Sequence, residues 1–193
     1  MSDGAGAGPL VVGLGGSTGA ASLTARLLHD CLQLCEDRGT RTVAFDGAQL
    51  AELPIFNMHD LPASAVADAL LDAVRQADAV VIATPGYHGS MSGLVKNAID
   101  HLELLREDAR PYLDGRVVGT IVSAAGWQAC GMALVSVRSA VHALRGWPTP
   151  FGVTVNSVEQ AADDPKVTGA LEILADQLME FTSWQAAARA SAR

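Results

Sequence analysis

The chain has 193 residues and a net charge of −8, and 49% of its residues are apolar. This length suits one domain with a large core, and the 13 scattered Lys and Arg residues exclude the basic surface that binds nucleic acid. The apolar runs fall well short of the ~18 residues that span a bilayer, which argues against a membrane helix.

Residues 1–8 are rich in Gly and Ala and lack the basic and apolar regions of a signal peptide. We expect them to form a flexible tail in front of a single domain over residues 9–190. Three cysteines without a targeting sequence favour a reducing cytoplasm. A metal site at His29, Cys31 and Cys35 fits the sequence less well than a helix face that carries two small apolar thiols.

Apolar runs and helical spacings alternate along the rest of the chain. The predicted strands cover residues 9–14, 41–46, 79–83, 116–123 and 151–155, and the predicted helices cover residues 23–38, 64–77, 94–106, 132–145 and 166–190. This alternation predicts an α/β protein whose parallel sheet has helices on both faces. About five strands fit the doubly wound order 2-1-3-4-5 better than the six strands of a full dinucleotide-binding fold.

Three loops rich in Gly, Ser and Ala leave the carboxyl ends of the first, third and fourth predicted strands. Ligands of an open α/β sheet bind at this edge, so the three loops predict one ligand site. In the first loop, Ser17, Thr18 and Ser22 precede a helix, and their hydroxyls can hold a phosphate together with the helix-start N–H groups. The alternative is that Ser22 acts only as an N-cap.

A dinucleotide-binding alternative follows from residues 13–18, which nearly fit Gly-x-Gly-x-x-Gly with Thr18 in the last place. Asp46, at the end of the second strand, would then bind a ribose. This NAD-binding interpretation leaves the second and third loops without a role. A P-loop is excluded because no Gly-Lys-Ser/Thr follows the glycines.

The second loop and the helix that follows it carry the densest motif of the chain. Residues 85–100 read PGYHGSMSGLVKNAID. This segment resembles the Pro-x-Tyr-x-Gly-Ser-x-x-Gly-x-x-Lys-Asn-x-x-Asp stretch of the NAD(P)H-dependent FMN reductase family. The first loop resembles the same family's Gly-Ser-x-x-x-x-Ser motif, but Gly19 stands where the family usually has Arg and Thr24 where it often has Asn.

The resemblance implies a flavodoxin-like three-layer sandwich with a five-stranded parallel sheet in the order 2-1-3-4-5. It implies FMN as the cofactor, bound by residues from all three loops, namely Gly16, Ser17, Thr18, Ser22, Thr24, Pro85, Gly86, Tyr87, His88, Gly89, Ser90, Ser123, Ala124, Ala125, Gly126 and Trp127. The backbone of the second loop would line the isoalloxazine edge, with Tyr87 beside the ring. Trp127 would cover the ring or pack against a neighbouring subunit.

Two motif features have simpler interpretations than catalysis. His88 stands where the family often has Asn, and a partly exposed donor explains it better than a titrating gate. Lys96 and Asp100 are i,i+4 on the predicted helix and can pair, so with Asn97 they are interpreted as structural or as subunit contacts.

The resemblance also implies an activity. NADPH or NADH would transfer a hydride to flavin N5, and because the cofactor supplies this chemistry, no catalytic residue and no metal ligand is predicted. Reduced FMN would pass to a partner monooxygenase or reduce a small acceptor such as a quinone or an azo compound. The alternative from another class is a flavodoxin-like electron carrier without an NAD(P)H site. A homodimer or homotetramer is implied, in which a neighbour helps to wall the flavin site.

Overall fold

The computed structural model describes residues 8–19 and 21–191. Apart from Gly8, the predicted flexible tail lies outside the described residues. The described strands are β1 (Leu10–Gly15), β2 (Arg41–Phe45), β3 (Ala79–Pro85), β4 (Val117–Ala124), β5 (Trp147–Pro148) and β6 (Val153–Asn156). The described helices are α1 (Leu23–Glu36), α2 (Gly47–Ala51), α3 (Ala65–Gln76), α4 (Gly93–His101), α5 (Trp127–Ala143) and α6 (Pro165–Ser191), and a 3-10 turn at Leu102–Leu105 follows α4.

The strands form a parallel sheet in the order β2-β1-β3-β4-β5, and β6 also pairs with β4. The predicted order 2-1-3-4-5 is therefore confirmed. Its fifth position, predicted as one strand, consists of two short ones: β5 pairs with the start of β4, and β6 pairs with its end. Pro150 lies between them, and because proline has no N–H to donate, it interrupts pairing at this edge.

The central strands β1, β3 and β4 are buried along their whole length because helices cover both faces of the sheet. Alternate side chains of a strand point to opposite faces. Val12 and Val80 accordingly pack with α3, α4 and α5, whereas Val11 and Val81 pack with α1 and α6. This arrangement confirms the predicted three layers.

Serine side chains begin three of the helices. The hydroxyls of Ser22, Ser64 and Ser92 each accept a hydrogen bond from the backbone N–H three residues further on, at the starts of α1, α3 and α4. The starts of α1 and α4 therefore follow directly from the loops that leave β1 and β3.

The structure differs from the sequence prediction most at α2 and α5. Residues 47–51 lie outside every predicted strand and helix, but a capping box between Asp46 and Gln49 starts the short helix α2 there. The helix predicted over 132–145 begins already at Trp127, so the third loop is confined to Ala125 and Gly126. Gly126 has φ of 143°, a conformation that L side chains rarely adopt, and this turn brings the chain directly from β4 into α5.

The described ranges lack two features that would suggest other classes of protein. No helix among them combines the length and the apolar composition that a bilayer crossing requires. Nor do these ranges contain three His, Cys, Asp or Glu side chains arranged to hold a metal ion. Cys31 and Cys35 are buried thiols on the inner face of α1.

Candidate functional site

The three loops predicted to form the site begin side by side. Because β1, β3 and β4 are parallel, their carboxyl ends lie at the same edge of the sheet. The Gly16 N–H donates to the Ala83 carbonyl at 2.8 Å, and the Gly86 N–H donates to the Ser123 carbonyl at 2.8 Å. The first and the second loop therefore each start with a hydrogen bond to the neighbouring strand.

Glycine at position 16 lets the first loop pass close to α4. A Cβ atom at Gly16 would lie 2.5 Å from Val95 Cγ2 and 2.7 Å from Ser92 Oγ, both at the start of α4. On its other side the loop contacts α2, where a Cβ atom at Gly47 would overlap the Ser17 carbonyl oxygen. The loop is thus held between two helix starts.

A cleft of about 820 Å³ opens beside this loop. Three of the predicted site residues, Ser17, Thr18 and Ser22, line it, and so do Arg26 and His29 from the next turns of α1. The Ser22 hydroxyl also accepts from the Ala25 N–H at 3.2 Å, so the N-cap role and the cleft-lining position coexist. Hydroxyls at a helix N-terminus form the donor set that binds phosphate.

The sequence interpretation missed two residues of this cleft. Ser157 and Gln160, from the loop between β6 and α6, line it. Asp46, at the end of β2, lines it as well and was considered only for the dinucleotide-binding alternative. These residues also follow strands at the carboxyl edge, and that position is the signal that would have found them. The Asp46 carboxylate accepts from the N–H groups of Ala48 and Gln49 at 2.9 and 3.0 Å, so it caps α2 rather than standing free for a ribose.

The second loop contains a two-residue hairpin. Tyr87 and Ser90 exchange backbone hydrogen bonds of 3.0 and 2.9 Å, and the residues between them, His88 and Gly89, have φ of 52° and 81°. Positive φ at both positions is the type I′ turn, which favours Asn or Gly. The positive φ at His88 explains why the family often has Asn at this position, since Asn and His tolerate this conformation better than most residues. The turn also presents Tyr87, which is 58% exposed, at the edge of the sheet.

The base of the second loop packs against the end of β4 and the start of α5. A Cβ atom at Gly86 would lie 3.1 Å from the Ala124 Cβ and 3.2 Å from the Ala129 carbonyl oxygen, so the loop passes close to both elements. The buried Thr84 hydroxyl accepts from the Ser92 N–H at 2.9 Å and fixes the loop's far end. Ser90 and Ser136 share a hydroxyl hydrogen bond of 2.9 Å, which ties the hairpin to α5.

Trp127 stands at the start of α5 with half of its surface exposed, and the β6–α6 loop fixes its orientation. Its indole Nε1–H donates to Glu159 Oε2 at 3.0 Å. The second carboxylate oxygen of Glu159 accepts from Nδ2 of the buried Asn156 at 2.8 Å. One loop therefore lines the cleft beside α1 and also holds the indole at the end of β4.

Two predicted site hydroxyls point inward. Thr24 and Ser123 are 2% and 6% exposed, and their oxygen atoms lie 2.5 Å apart. This hydrogen bond joins α1 to β4 beneath the loops. The two residues support the site from below, and direct contact with a cofactor remains a prediction for them.

The Lys-Asn-x-x-Asp part of the motif lies on α4. Lys96 Nζ and Asp100 Oδ1 are 2.6 Å apart on the exposed face, which confirms the predicted i,i+4 pair. Asn97 Oδ1 accepts from the Phe56 N–H at 2.9 Å, and its Nδ2 donates to the Pro54 carbonyl at 3.0 Å. Asn97 therefore anchors the segment between α2 and α3.

Sequence comparisons identify relatives of the chain. A family model described as NADPH-dependent FMN reductase matches residues 9–160. The FMN-dependent NADPH-azoreductase of Staphylococcus haemolyticus is 28% identical over 118 residues, covering 57% of this chain and 59% of the relative. Its namesake from Staphylococcus aureus strain USA300 is 32% identical over 108 residues, covering 56% of this chain and 49% of the relative. The chain thus spans about half the length of these curated relatives.

Solved structures share the fold. An oxidoreductase from Corynebacterium diphtheriae has a TM-score of 0.76 at 15% identity, covering 92% of this chain and 98% of that one. The flavoenzyme NAD(P)H:(acceptor) oxidoreductase of Paracoccus denitrificans has a TM-score of 0.72 at 24% identity, covering 92% and 97%. At these identities the likeness shows the flavodoxin-like fold alone. The family match, in contrast, covers more than half of the chain and contains all three loops. The chain belongs to the NADPH-dependent FMN reductase family.

Proposed function

We propose that the chain binds FMN at the carboxyl edge of its sheet and catalyses its reduction by NADPH or NADH. The observation that supports this most is that a hydroxyl-lined cleft at α1 and the loops that carry the exposed rings of Tyr87 and Trp127 leave the same carboxyl edge of the sheet. A polar end for a phosphate beside a flat-walled end for a ring matches the two parts of FMN. Family membership supports the same conclusion.

The residues present fit this cofactor. Ser17, Thr18 and Ser22 offer hydroxyls to a phosphate, and α1 adds the N–H groups of its first turn. The second and third loops offer backbone N–H and C=O groups to the polar edge of the ring. Tyr87 and Trp127 are 58% and 49% exposed, which leaves their faces available as walls for a flat ligand.

When bound, FMN supplies the redox chemistry, because its ring accepts a hydride from NAD(P)H. The chain's residues hold the phosphate, orient the ring and supply N–H groups near its developing negative charge. Cys130, on the first turn of α5, takes no part as a nucleophile: burial raises the pKa of its thiol, and its sulfur lies 3.3 Å from the Val155 carbonyl oxygen. We therefore propose no catalytic residue.

The proposed acceptors are small oxidised molecules, azo compounds and quinones among them. The support is that the curated relatives are FMN-dependent NADPH-azoreductases, whose names also favour NADPH as the donor. Passage of reduced FMN to a partner monooxygenase is the second route. Decolourisation of an azo dye in the absence of any partner protein distinguishes the two.

We propose a homodimer or homotetramer in which the α4–α5 face is covered. Grooves of about 410 and 700 Å³ run along this face. Met132 and Val135, three residues apart on α5, are 52% and 63% exposed there, so two neighbouring apolar side chains on this face are accessible to a partner. Gly89 and Ser90 of the hairpin line the larger groove, so a partner on this face would add a wall beside the second loop.

Residues 9–190 are proposed to act as one FMN-binding domain in the cytoplasm. Cys31, Cys35 and Cys130 are all unbridged and buried. Unbridged thiols are typical of a reducing compartment. Intact thiols after purification without reductant, measured by thiol titration under denaturing conditions, would support that location, and a disulfide would contradict it.

The test of the activity is a titration with FMN that follows flavin fluorescence, and then addition of NADPH without oxygen. Binding followed by loss of the yellow absorption band supports the reductase. Binding without bleaching supports the flavodoxin-like electron carrier, and absence of binding contradicts both. The variant Ser17→Asp should raise the Kd for FMN about tenfold or more by charge repulsion. Ser183→Asp, on the exposed face of α6, is the matched control and should leave the Kd unchanged.

A further inference from the structure

The cleft beside α1 contains one arginine whose positive charge is available to a ligand, in addition to its hydroxyls. Among the described residues that line it, Arg26 is the sole permanently charged cation. The one carboxylate in that lining belongs to Asp46, and two backbone N–H groups of α2 already bind it. In a chain with a net charge of −8, the cleft therefore presents a positive charge that is open to a ligand.

Arg26 shares a helix stripe with the N-cap serine. Ser22 and Arg26 are i,i+4 on α1, and residues at this spacing lie above one another on the same face. Helical side chains leave the helix leaning toward its N-terminus, and Arg26 is among the residues that line the cleft. Arg26 is also the first Lys or Arg in the sequence.

Helix stability gives no reason for a cation at this position. The first turn of α1 contains no acidic residue, and a positive charge near a helix N-terminus opposes the helix dipole. The recorded ion pair of Arg26 joins its Nε to Asp30 Oδ2 at 3.7 Å, with the two side chains 61% and 43% exposed. Such an exposed, long contact stabilises little, so the guanidinium can turn to a ligand at small cost.

An anion in the cleft would offset the unfavourable interaction between Arg26 and the N-terminus of α1. It would interact favourably with the α1 N-terminus, the hydroxyls of Ser17 and Ser22, and the guanidinium at once. We propose that Arg26 provides the charged contact to the 5′-phosphate of FMN and makes the chain prefer FMN to riboflavin. This inference rests on the proposed function, because it assumes that FMN occupies the cleft.

The test compares phosphorylated and unphosphorylated flavin. The wild type, Arg26→Gln and Arg26→Lys are each titrated with FMN and with riboflavin at low and high salt. We expect Arg26→Gln to weaken FMN binding about tenfold while the Kd for riboflavin stays unchanged, and to lose most of the salt dependence. Arg26→Lys, which keeps the charge, should recover part of the affinity. Arg106→Gln is the matched control, because Arg106 is an exposed arginine paired with Glu103 and Glu107, outside the cleft.

Three results would overturn the inference. Equal FMN affinity in the wild type and Arg26→Gln would show that Arg26 does not contact the phosphate. Equal weakening of FMN and riboflavin would indicate a general effect on the site. A change confined to the ratio of KM values for NADPH and NADH would assign Arg26 to the 2′-phosphate of the donor instead. A wild type that binds neither flavin would contradict the proposed function itself, and that outcome is distinct from the other three.

Discussion

The two ends of β3 and β4 are built differently. At the amino ends arginine side chains donate hydrogen bonds to backbone carbonyls, whereas at the carboxyl ends glycines and hydroxyls surround an open cleft. Arg116 is 1% exposed and donates to the carbonyls of Tyr112, Asp114 and Arg75 at 3.1, 3.3 and 2.9 Å. Arg110 binds the carbonyls of Ala77 and Gly115 in the same way. Backbone acceptors at this end are thus satisfied within the fold.

The carboxyl end is built differently. Glycines at positions 16, 47 and 86 let the loops pass close to the starts of α4 and α2 and to the end of β4. Hydroxyls at this end line an open cleft. Donors that the fold leaves accessible are available to a ligand, whereas donors used internally stabilise the chain. Substitutions at the amino end should therefore lower stability, and those at the carboxyl end should lower FMN affinity.

The largest expected effect tests the amino end. Arg116→Met should lower the free energy of unfolding by about 2–4 kcal/mol, because three partly buried carbonyls lose a charged donor. Urea unfolding measures this change, and the FMN affinity of the folded fraction should stay the same. Stability equal to that of the wild type would contradict the structural role, and so would a selective loss of FMN binding.

A smaller effect is expected where the first loop passes α4. Gly16→Ala should cost about 1–3 kcal/mol of stability, because its Cβ would meet Val95 and Ser92, and it should also weaken FMN binding. Gly131→Ala is the matched control. No atom lies within 4 Å of a Cβ at that position, and the helix interior favours alanine by roughly 0.5–1 kcal/mol. If Gly16→Ala and Gly131→Ala lose the same stability, the close approach of the first loop to α4 does not require glycine at position 16.

The hydrogen bond between Trp127 and Glu159 should contribute less to the free energy of unfolding. In a double-mutant cycle with Trp127→Phe and Glu159→Ala, we expect a coupling of about 0.5–1.5 kcal/mol from the lost hydrogen bond. Urea unfolding of the four proteins gives this value. If the stability losses of the two single variants add up to the loss of the double variant, the hydrogen bond between the indole and Glu159 does not stabilise the fold.

The smallest effect depends on pH. Burial raises the pKa of the Cys130 thiol above its ordinary value of 9.0, so the folded thiol keeps a proton that the unfolded one loses. Its contribution to stability is complete below that value and is lost as the pH rises toward the folded pKa. Cys130→Ala should therefore flatten the alkaline loss of stability by about 1 kcal/mol or less at pH 10. Parallel stability curves for the two proteins between pH 8 and 10 would contradict this.

Local patterns were sufficient to predict the central strands and the edge that carries the site, whereas the order of the sheet came from the likeness to known doubly wound folds. The apolar runs that became β1, β3 and β4 are continuous because both faces are buried, and their loops contain the small residues that close approach requires. Ser22 was recognisable from its place before a helical spacing, and it is the N-cap of α1. These features depend on residues that are neighbours in sequence.

The features that were missed depend on distant residues or on backbone conformation. Thr24 and Ser123 bind each other across 99 positions, so neither hydroxyl could be assigned an inward direction beforehand. Gly126 permits an abrupt start of α5 without a capping side chain, and residues 124–131 therefore looked like a long loop. The β6–α6 loop was overlooked because it contains no glycine, although Glu159 and Gln160 follow a strand that ends at the same edge.

Amide hydrogen exchange of the intact chain with and without FMN locates the cofactor site directly. We predict slower exchange in residues 16–25, 86–92, 125–130 and 157–162, which form the carboxyl edge, and no change in residues 110–116. Protection at residues 110–116, or an unchanged pattern at a flavin concentration well above the Kd, would contradict the assignment of the FMN site to this edge.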